Sequence, residues 1–366
     1  MLKLYFRRLI VVAWLLVMGS APALADHERS SAEFDVFLSA LALGSTGDIH
    51  RGDDDSWFNA DIVFGLTKHR FRLFGEYFIT AEEKDLERFQ VGLEFVPETV
   101  LWVGRFHQPA SAWNTEHHHG RYLQTAITRP SIERWEDEHG IIPQHIVGVL
   151  LESRQSIGDK AALQISAGVG AGPSLGKHEL EPVELVNNTP GRHRLSISAR
   201  LAYLPDYVGP TSAGLLFGRH QVIARSPAVL AILPDPRVDL DLLGAYVDWN
   251  QEPWRIIAAI YHLRANFQSS RAREQFTAGY GQIERQLPFR LSAYGRVESS
   301  SHMQQSRYAQ AFDDHDGDID VALRRNAVGL RWDFARRQAL SLELSNVTSL
   351  NQHSDEVRLQ WSAAVP

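Results

Sequence analysis

The sequence predicts an all-β chain, a transmembrane antiparallel β-barrel of about sixteen strands with one long loop, and three observations predict it. Segments of roughly ten residues with alternating apolar and polar side chains recur along the chain, separated by turns. The N-terminal residues read as an export signal. Beyond them no uninterrupted apolar run approaches the ~20 residues of a helical span, so insertion into a membrane must be by strands.

Alternation is plainest near the C-terminus. Val357, Leu359, Trp361, Ala363 and Val365 share one face, and Arg358, Gln360 and Ser362 share the other. Leu340, Leu342 and Leu344 alternate with Ser341, Glu343 and Ser345, and Val328, Leu330, Trp332 and Phe334 alternate with Gly329, Arg331 and Asp333. A soluble sandwich would lay such a face on a second sheet, whereas a bilayer replaces that sheet if the strands close without a free edge. The strands carry no second, consistently apolar face, which favours the barrel.

In chain order, Lys3, Arg7 and Arg8 precede an apolar run from Leu9 to Met18, and Ala23-Leu24-Ala25 supplies a small-residue cleavage site. Residues 1–25 are therefore expected to be a signal peptide and residues 26–366 one barrel domain, since no Pro/Ser-rich linker or charge block divides them. With no cysteines, stability must come from packing and ladder hydrogen bonds. Removing the three basic residues of the signal shifts the formal charge from -7 to about -10 with mixed signs, which gives no nucleic-acid footprint. Mean hydropathy is slightly negative, as expected when only alternate residues meet lipid.

Phe34 to Leu43 reads as the first strand. Phe58, Ala60, Ile62, Phe64 and Leu66 form the next apolar row, and a short link at 67–70 leads into Phe71, Leu73, Tyr77 and Ile79 as a hairpin. Phe89, Val91, Leu93 and Phe95 follow, and Pro97-Glu98-Thr99 turns the chain into Val100, Trp102, Gly104 and Phe106. Further strands are expected at 144–154, 161–170, 194–204, 211–222, 240–249, 254–264, 276–286 and 289–298. Short links at 155–159, 251–253, 286–288 and 335–337 alternate with long polar ones at 45–56, 108–143, 171–193, 222–238 and 299–322, the asymmetry of a transmembrane barrel. Trp57, Trp249, Trp254, Trp332 and Trp361 lie near strand ends, where an interfacial girdle needs them.

The segment Gly104-Arg105-Phe106-His107-Gln108-Pro109 looks like the end of a fifth strand entering a third external loop. With the closing segments Val328 to Phe334 and Arg358 to Ser362, it resembles the bacterial outer-membrane porins, the phosphate-selective porin O/P-like branch more than the general trimeric porins. One departure is that Ala363-Ala364-Val365-Pro366 follow Trp361, where many such barrels end on an aromatic residue. The resemblance implies a water-filled channel in the bacterial outer membrane, narrowed by the third loop. Its expected partners are membrane lipid, lipopolysaccharide and small hydrophilic solutes, with a homotrimer as the candidate assembly. Passive diffusion needs no cofactor.

The 108–143 link is far longer than a surface connection needs and holds enough apolar side chains to pack on something. Pro130 near the start and Gly140 past the end read as a helix of about two turns over 131–138. Folded inward, this loop would present Glu116, Arg121, Arg129, Glu133, Arg134, Glu136 and Glu138. Across from them the polar parity of the strands places Arg72, Arg88, Arg105, Arg200, Arg290, Arg296, Arg331 and Arg358 with Asp61, Glu76, Glu94, Asp333 and Glu343. Facing rows of opposite charge create a transverse field that orients polar solutes; the plainer alternative is local pairing that only keeps the lumen wet. The loop's acids offset its arginines, so no anion selector stands out.

His117-His118-His119, preceded by Glu116, is the sharpest local oddity. With His139, and with His107, His145 and Asp137 nearby, it could supply a zinc-type ion. Adjacent histidines of an extended chain point to opposite sides, so at most two can share one ion without a turn. The acidic run 313–320 reads as a solvated loop tip rather than an EF-hand, because its glycine is misplaced and no glutamate closes it. Two other functions compete with a diffusion channel. A barrel enzyme lacks any Gly-x-Ser-x-Gly element. A plugged barrel acting as receptor or adhesin, with or without a metal, would conduct negligibly.

Overall fold

The computed structural model describes residues 30–46, 58–80, 84–117, 121–136, 139–185, 193–313, 321–350 and 352–365. The expected signal peptide, Trp57, His118, His119, Asp137, Glu138 and residues 314–320 of the acidic run lie outside them.

Eighteen strands are present among the described residues: β1 Ser30–Ser45, β2 Phe58–Lys68, β3 Phe71–Thr80, β4 Lys84–Val96, β5 Thr99–His107, β6 His145–Ile157, β7 Ala161–Ala171, β8 Ser174–Leu175, β9 Leu180–Glu181, β10 Leu195–Leu204, β11 Ser212–Ile223, β12 Arg237–Gln251, β13 Trp254–Phe267, β14 Arg273–Leu287, β15 Leu291–Ser301, β16 Ala322–Ala335, β17 Gln338–Ser349 and β18 His353–Val365. Sixteen of them form one closed antiparallel barrel; β8 and β9 make a separate small hairpin inside the long 171–193 link. Closure comes from β1 pairing β18, with Val36 opposite Val365 and Leu43 opposite Arg358, so no backbone edge is left to satisfy. Most strands run a few residues past their expected ends, because the polar residues that flank each apolar row still find ladder partners.

The registers bring the outward apolar rows side by side. Val328, Leu330 and Trp332 of β16 face Leu344, Leu342 and Leu340 of β17, which face Val357, Leu359 and Trp361 of β18. These side chains remain exposed on the outer wall, save Trp361, which is half-buried. A continuous apolar band of this extent is foreign to a soluble surface and matches hydrocarbon as the outer solvent. Trp249, Trp254, Trp332 and Trp361 sit near the rim made by the short turns, at the height of a girdle.

Across β5, β6 and β7, Gly104, Gly148 and Gly170 lie in one paired row. Gly104 has φ +147, and a Cβ there would stand 2.0 Å from the carbonyl oxygen of Phe89. Only glycine permits this approach, which brings Arg105 to its buried position beside Asp85 of β4.

The inward side corrects one expectation. A second apolar face does exist, on β11 to β14, where Leu216, Leu240, Leu242, Tyr246, Tyr261, Leu263, Phe276 and Tyr280 are buried. Its partner is not a second sheet but Trp113, Ile132 and Ile141 of the 108–143 loop, with Met303, Tyr308 and Phe312 of the 302–321 link. Each large side chain buried in this way contributes about 1.5–3 kcal/mol. The barrel therefore encloses a core of its own.

Candidate functional site

The lumen is the candidate site, and the 108–143 loop crosses it. Next to its departure from β5, Ala110 N–H donates to Ser198 Oγ of β10 at 3.0 Å, and Ala112 N–H donates to Tyr261 Oη of β13 at 3.1 Å. A helix follows at Ala112–His117, its first turn held by Thr115 N–H on the Ser111 carbonyl. The two-turn helix expected over 131–138 is instead a single 3-10 turn, Ser131–Glu133. The reason is local: no side chain caps that turn, Arg134 leaves it with ψ 150, and Glu133 turns its carboxylate to other elements of the loop and wall.

Glu133 is a hub. Its carboxylate accepts from Ser111 Oγ, from Trp113 N–H at 2.8 Å, from Tyr261 Oη at 2.5 Å and from Tyr280 Oη at 2.8 Å. Burial pushes its pKa above the ordinary carboxylate value, while these hydrogen bonds pull the other way. A second hub comes from the wall. Glu343 of β17 accepts from the backbone N–H groups of Ile127 and Thr128, each at 3.1 Å, from Thr128 Oγ1 at 2.6 Å and from Tyr294 Oη. Arg296 of β15 donates to the Thr128 carbonyl at 2.6 Å, Arg331 of β16 to the Tyr122 carbonyl at 2.6 Å, and Ser131 N–H donates to Glu298 at 2.7 Å. Irregular backbone inside a barrel must be paired to be stable, and here wall side chains do the pairing.

The expected wall residues thus have specific places. Arg200 reaches Thr115 and Glu116, at 2.7 and 3.0 Å. Arg72 pairs with Glu94 and Arg88 with Glu76. Arg105 pairs with Asp85 at 2.8 Å, and Arg358 with Glu356. Arg296 and Arg331 also pair with Glu298 and Asp333, both at 2.8 Å. Apart from Arg200 with Glu116 of the loop, these pairs join residues of one strand or of adjacent strands, so much of the wall charge is paired locally. Arg290 is a correction: it is exposed in the turn Pro288–Arg290 at the rim, because left-handed φ values of 64 at Phe289 and 61 at Arg290 keep both in the turn and β15 starts only at Leu291.

On the loop, Arg129 donates to Asn114 Oδ1 at 2.7 Å and lies over Trp135. Arg121 approaches the Ile127 carbonyl and Gln360, and half-buried Arg134 lines a small cavity with Glu298 and His139. Glu136 accepts from Gln144 N–H at 2.7 Å and from His145 Nδ1 at 2.7 Å.

Of the expected histidines, His117 and His139 lie among the described residues and stand apart from each other. His117 is buried, stacked on Trp113, with Nδ1 on the Trp113 carbonyl at 3.2 Å. Burial, reinforced by the nearby Arg255 and Arg129 guanidiniums, lowers its pKa to about 3. His139 instead meets the His178 carbonyl at 3.2 Å. Among the described residues, the His/carboxylate group that the fold assembles is Glu87, His107 and His145. Glu87 was missed because the polar parity of β4 breaks beside it: β3 and β4 lose register between Glu76 and Phe78. The tyrosines Tyr261, Tyr280 and Tyr294 were missed as ordinary apolar residues, although they occupy the inward parity.

No family model matches the chain, and no curated protein matches it. Among solved structures it is similar to the anion-selective porin from Comamonas acidovorans, at 12% identity over 92% of this chain and 100% of that one, with a TM-score of 0.58. It is similar to OmpT in trimer form, an outer membrane protein of Vibrio cholerae, at 9% identity over 92% and 100%, with a TM-score of 0.57. It is also similar to the outer membrane channel DcaP of Acinetobacter baumannii, at 10% identity over 93% and 100%, with a TM-score of 0.54. These likenesses establish the fold: the chain is built as a sixteen-stranded barrel of the outer-membrane type.

Proposed function

We propose that the chain is a porin-type channel of the bacterial outer membrane, taking small hydrophilic solutes or ions along a narrow path. The observation that carries this reading is the division of the lumen. The loop's apolar side chains pack on β11 to β14 and its 122–131 stretch is held by β15 to β17, whereas the inward side of β3 and β4 carries Arg72, Arg88, Glu76 and Glu94 paired among themselves. A charged wall inside a closed barrel suits hydrated solutes and excludes apolar ones. Residues 1–25 act as the export signal in this reading, and lipopolysaccharide meets the outer wall. The phosphate-selective O/P-like branch is the subfamily favoured by the segments Gly104 to Pro109, Val328 to Phe334 and Arg358 to Ser362, and a homotrimer, as in the trimer form of Vibrio cholerae OmpT, is the assembly.

The second reading is a plugged barrel serving as receptor or adhesin. It is favoured by the number of loop-to-wall hydrogen bonds and by the burial of Ser341, Glu343, Ser345, Arg358 and Gln360 on the inward rows of β17 and β18. Planar-bilayer recording of purified protein separates the two. A channel gives small but resolved single-channel currents that rise when residues 111–141 are deleted. A silent wild type with a conducting deletion identifies a plug, and silence in both removes the channel.

A further inference from the structure

We propose that Glu87, His107 and His145 form a zinc-type metal site at the neck of the 108–143 loop. His107 is the last residue of β5 and His145 the first of β6, and the two face each other across the ladder. The loop therefore leaves and rejoins the wall at this histidine pair. Glu87 projects from β4 to the same point, with Oε2 at 2.9 Å from His145 Nε2. One ligand atom from each of the three residues lies within 4.8 Å of the others, and all three side chains are buried.

Two features distinguish this cluster from a chance meeting of polar groups. The first is an outer carboxylate. Glu136 Oε2 lies 2.7 Å from His145 Nδ1, and Glu136 Oε1 is itself held by the backbone N–H of Gln144 at 2.7 Å. An imidazole whose Nδ1–H is taken by a fixed carboxylate presents Nε2 for ligation, the usual arrangement behind a metal-bound histidine. The second is ring orientation: Trp135 packs on His107 at 4.6 Å and on His145 at 5.5 Å between centroids, and the two histidine rings meet edge-on at 4.9 Å.

The charges agree. Two carboxylates, Glu87 and Glu136, flank one imidazole, so a cation belongs at Nε2, either a second ring proton or a metal in its place. Arg105 approaches Glu87 at 3.7 Å, but its charge is shared with Asp85 at 2.8 Å and Glu184 at 3.6 Å. Three carboxylates thus surround this guanidinium, with Glu136 a fourth on the other side of His145, and leave room for a dication. Two nitrogens and one oxygen suit zinc, whose tetrahedral ligands sit ~3.3 Å apart at bond lengths of ~2.0–2.1 Å. The cluster needs to draw its widest edge together and to open the 2.9 Å edge between Glu87 and His145 slightly, which leaves the fourth position to water or a solute anion. Bound there, the ion would staple both ends of the loop to β4.

The test is zinc titration of the full chain in detergent, stripped with chelator and competed against a chromophoric chelator. One equivalent should bind more tightly than any other. Glu87→Gln and His107→Asn should each weaken it at least tenfold, and Glu136→Gln, which keeps the outer hydrogen bond but not its charge, about 10–100-fold. His118→Ala combined with His119→Ala should leave it unchanged. Gel mobility without heating reports whether each variant is a folded barrel. Cobalt loading of the wild type checks the same point without any variant, since a low-coordinate site gives intense visible bands. Absence of a tight equivalent, wild-type affinity in Glu87→Gln and His107→Asn, or loss of binding only in the His118/His119 pair would each overturn the proposal.

Discussion

Replacing Glu133 by alanine should release the loop from the apolar half of the lumen. Of its four donors only the Ser111 hydroxyl can rotate toward another acceptor, because in the contact with Ala112 N–H the Tyr261 phenol oxygen accepts. Trp113 N–H, Tyr261 O–H and Tyr280 O–H are left with the full loss. Orphaning a buried donor costs about 1–3 kcal/mol, so three cost about 3–9, and water entering the new cavity holds the expectation to about 3 kcal/mol. At 1.4 kcal/mol per decade this shifts the docking equilibrium about 100-fold. Trypsin reads it directly, because Arg121, Arg129 and Arg134 lie on the loop and cleavage tracks the open population when reclosing is fast. Glu133→Ala should therefore be cut about 100-fold faster than wild type, with the barrel strands resistant. Glu133→Gln, which keeps an acceptor, should lie between them. Burial raises the folded pKa above the unfolded value, so its stabilisation is fully present below the unfolded pKa and is lost as pH rises through the folded one. Loop cleavage in wild type, divided at each pH by trypsin's rate on a small substrate, should accordingly be slower at the acid end of the range than at the alkaline end, and Glu133→Gln should flatten this slope. Cleavage of Glu133→Ala within twofold of wild type would refute the reasoning.

Two other expectations concern the wall. Leu342 faces outward in mid-strand between Leu330 and Leu359, so Leu342→Arg should cost about 2–4 kcal/mol of folding free energy if that face meets hydrocarbon; urea unfolding in lipid vesicles measures it, and no loss would contradict a lipid contact. Gly104→Ala places a Cβ 2.0 Å from the Phe89 carbonyl oxygen in a backbone conformation foreign to L residues. It should lower stability by about 1–3 kcal/mol or more, seen as a lower temperature of the gel-mobility transition, and an unshifted transition would show that the strand relaxes freely.

Much of the barrel was legible because two-residue periodicity survives whatever surrounds it. Val328 to Phe334, Leu340 to Leu344 and Val357 to Val365 declare their outward rows without help, and their registers follow once the turns are short. The inside was harder to read. Leu240, Leu242 and Leu243 form a mixed apolar run in which both faces of β12 are greasy, a sign that something apolar lies within the barrel, yet one face alone was expected. Tyr261, Tyr280 and Tyr294 carry the inward parity, but a tyrosine does not reveal that its hydroxyl will serve a carboxylate such as Glu133 or Glu343. The metal candidates moved for a similar reason. His117, His118 and His119 are adjacent in sequence, whereas His107, His145 and Glu87 are brought together only by strand pairing and by the irregular register of β3 with β4.

The central claim is that the 108–143 loop lies across the lumen against the wall, and the absence of cysteines from the chain makes one measurement direct. Ala110 N–H lies 3.0 Å from Ser198 Oγ, so Ala110→Cys combined with Ser198→Cys should form a disulfide within the folded barrel in oxidised membranes, while each single variant should form none. A pair that stays reduced in folded protein under the same oxidation would contradict the account.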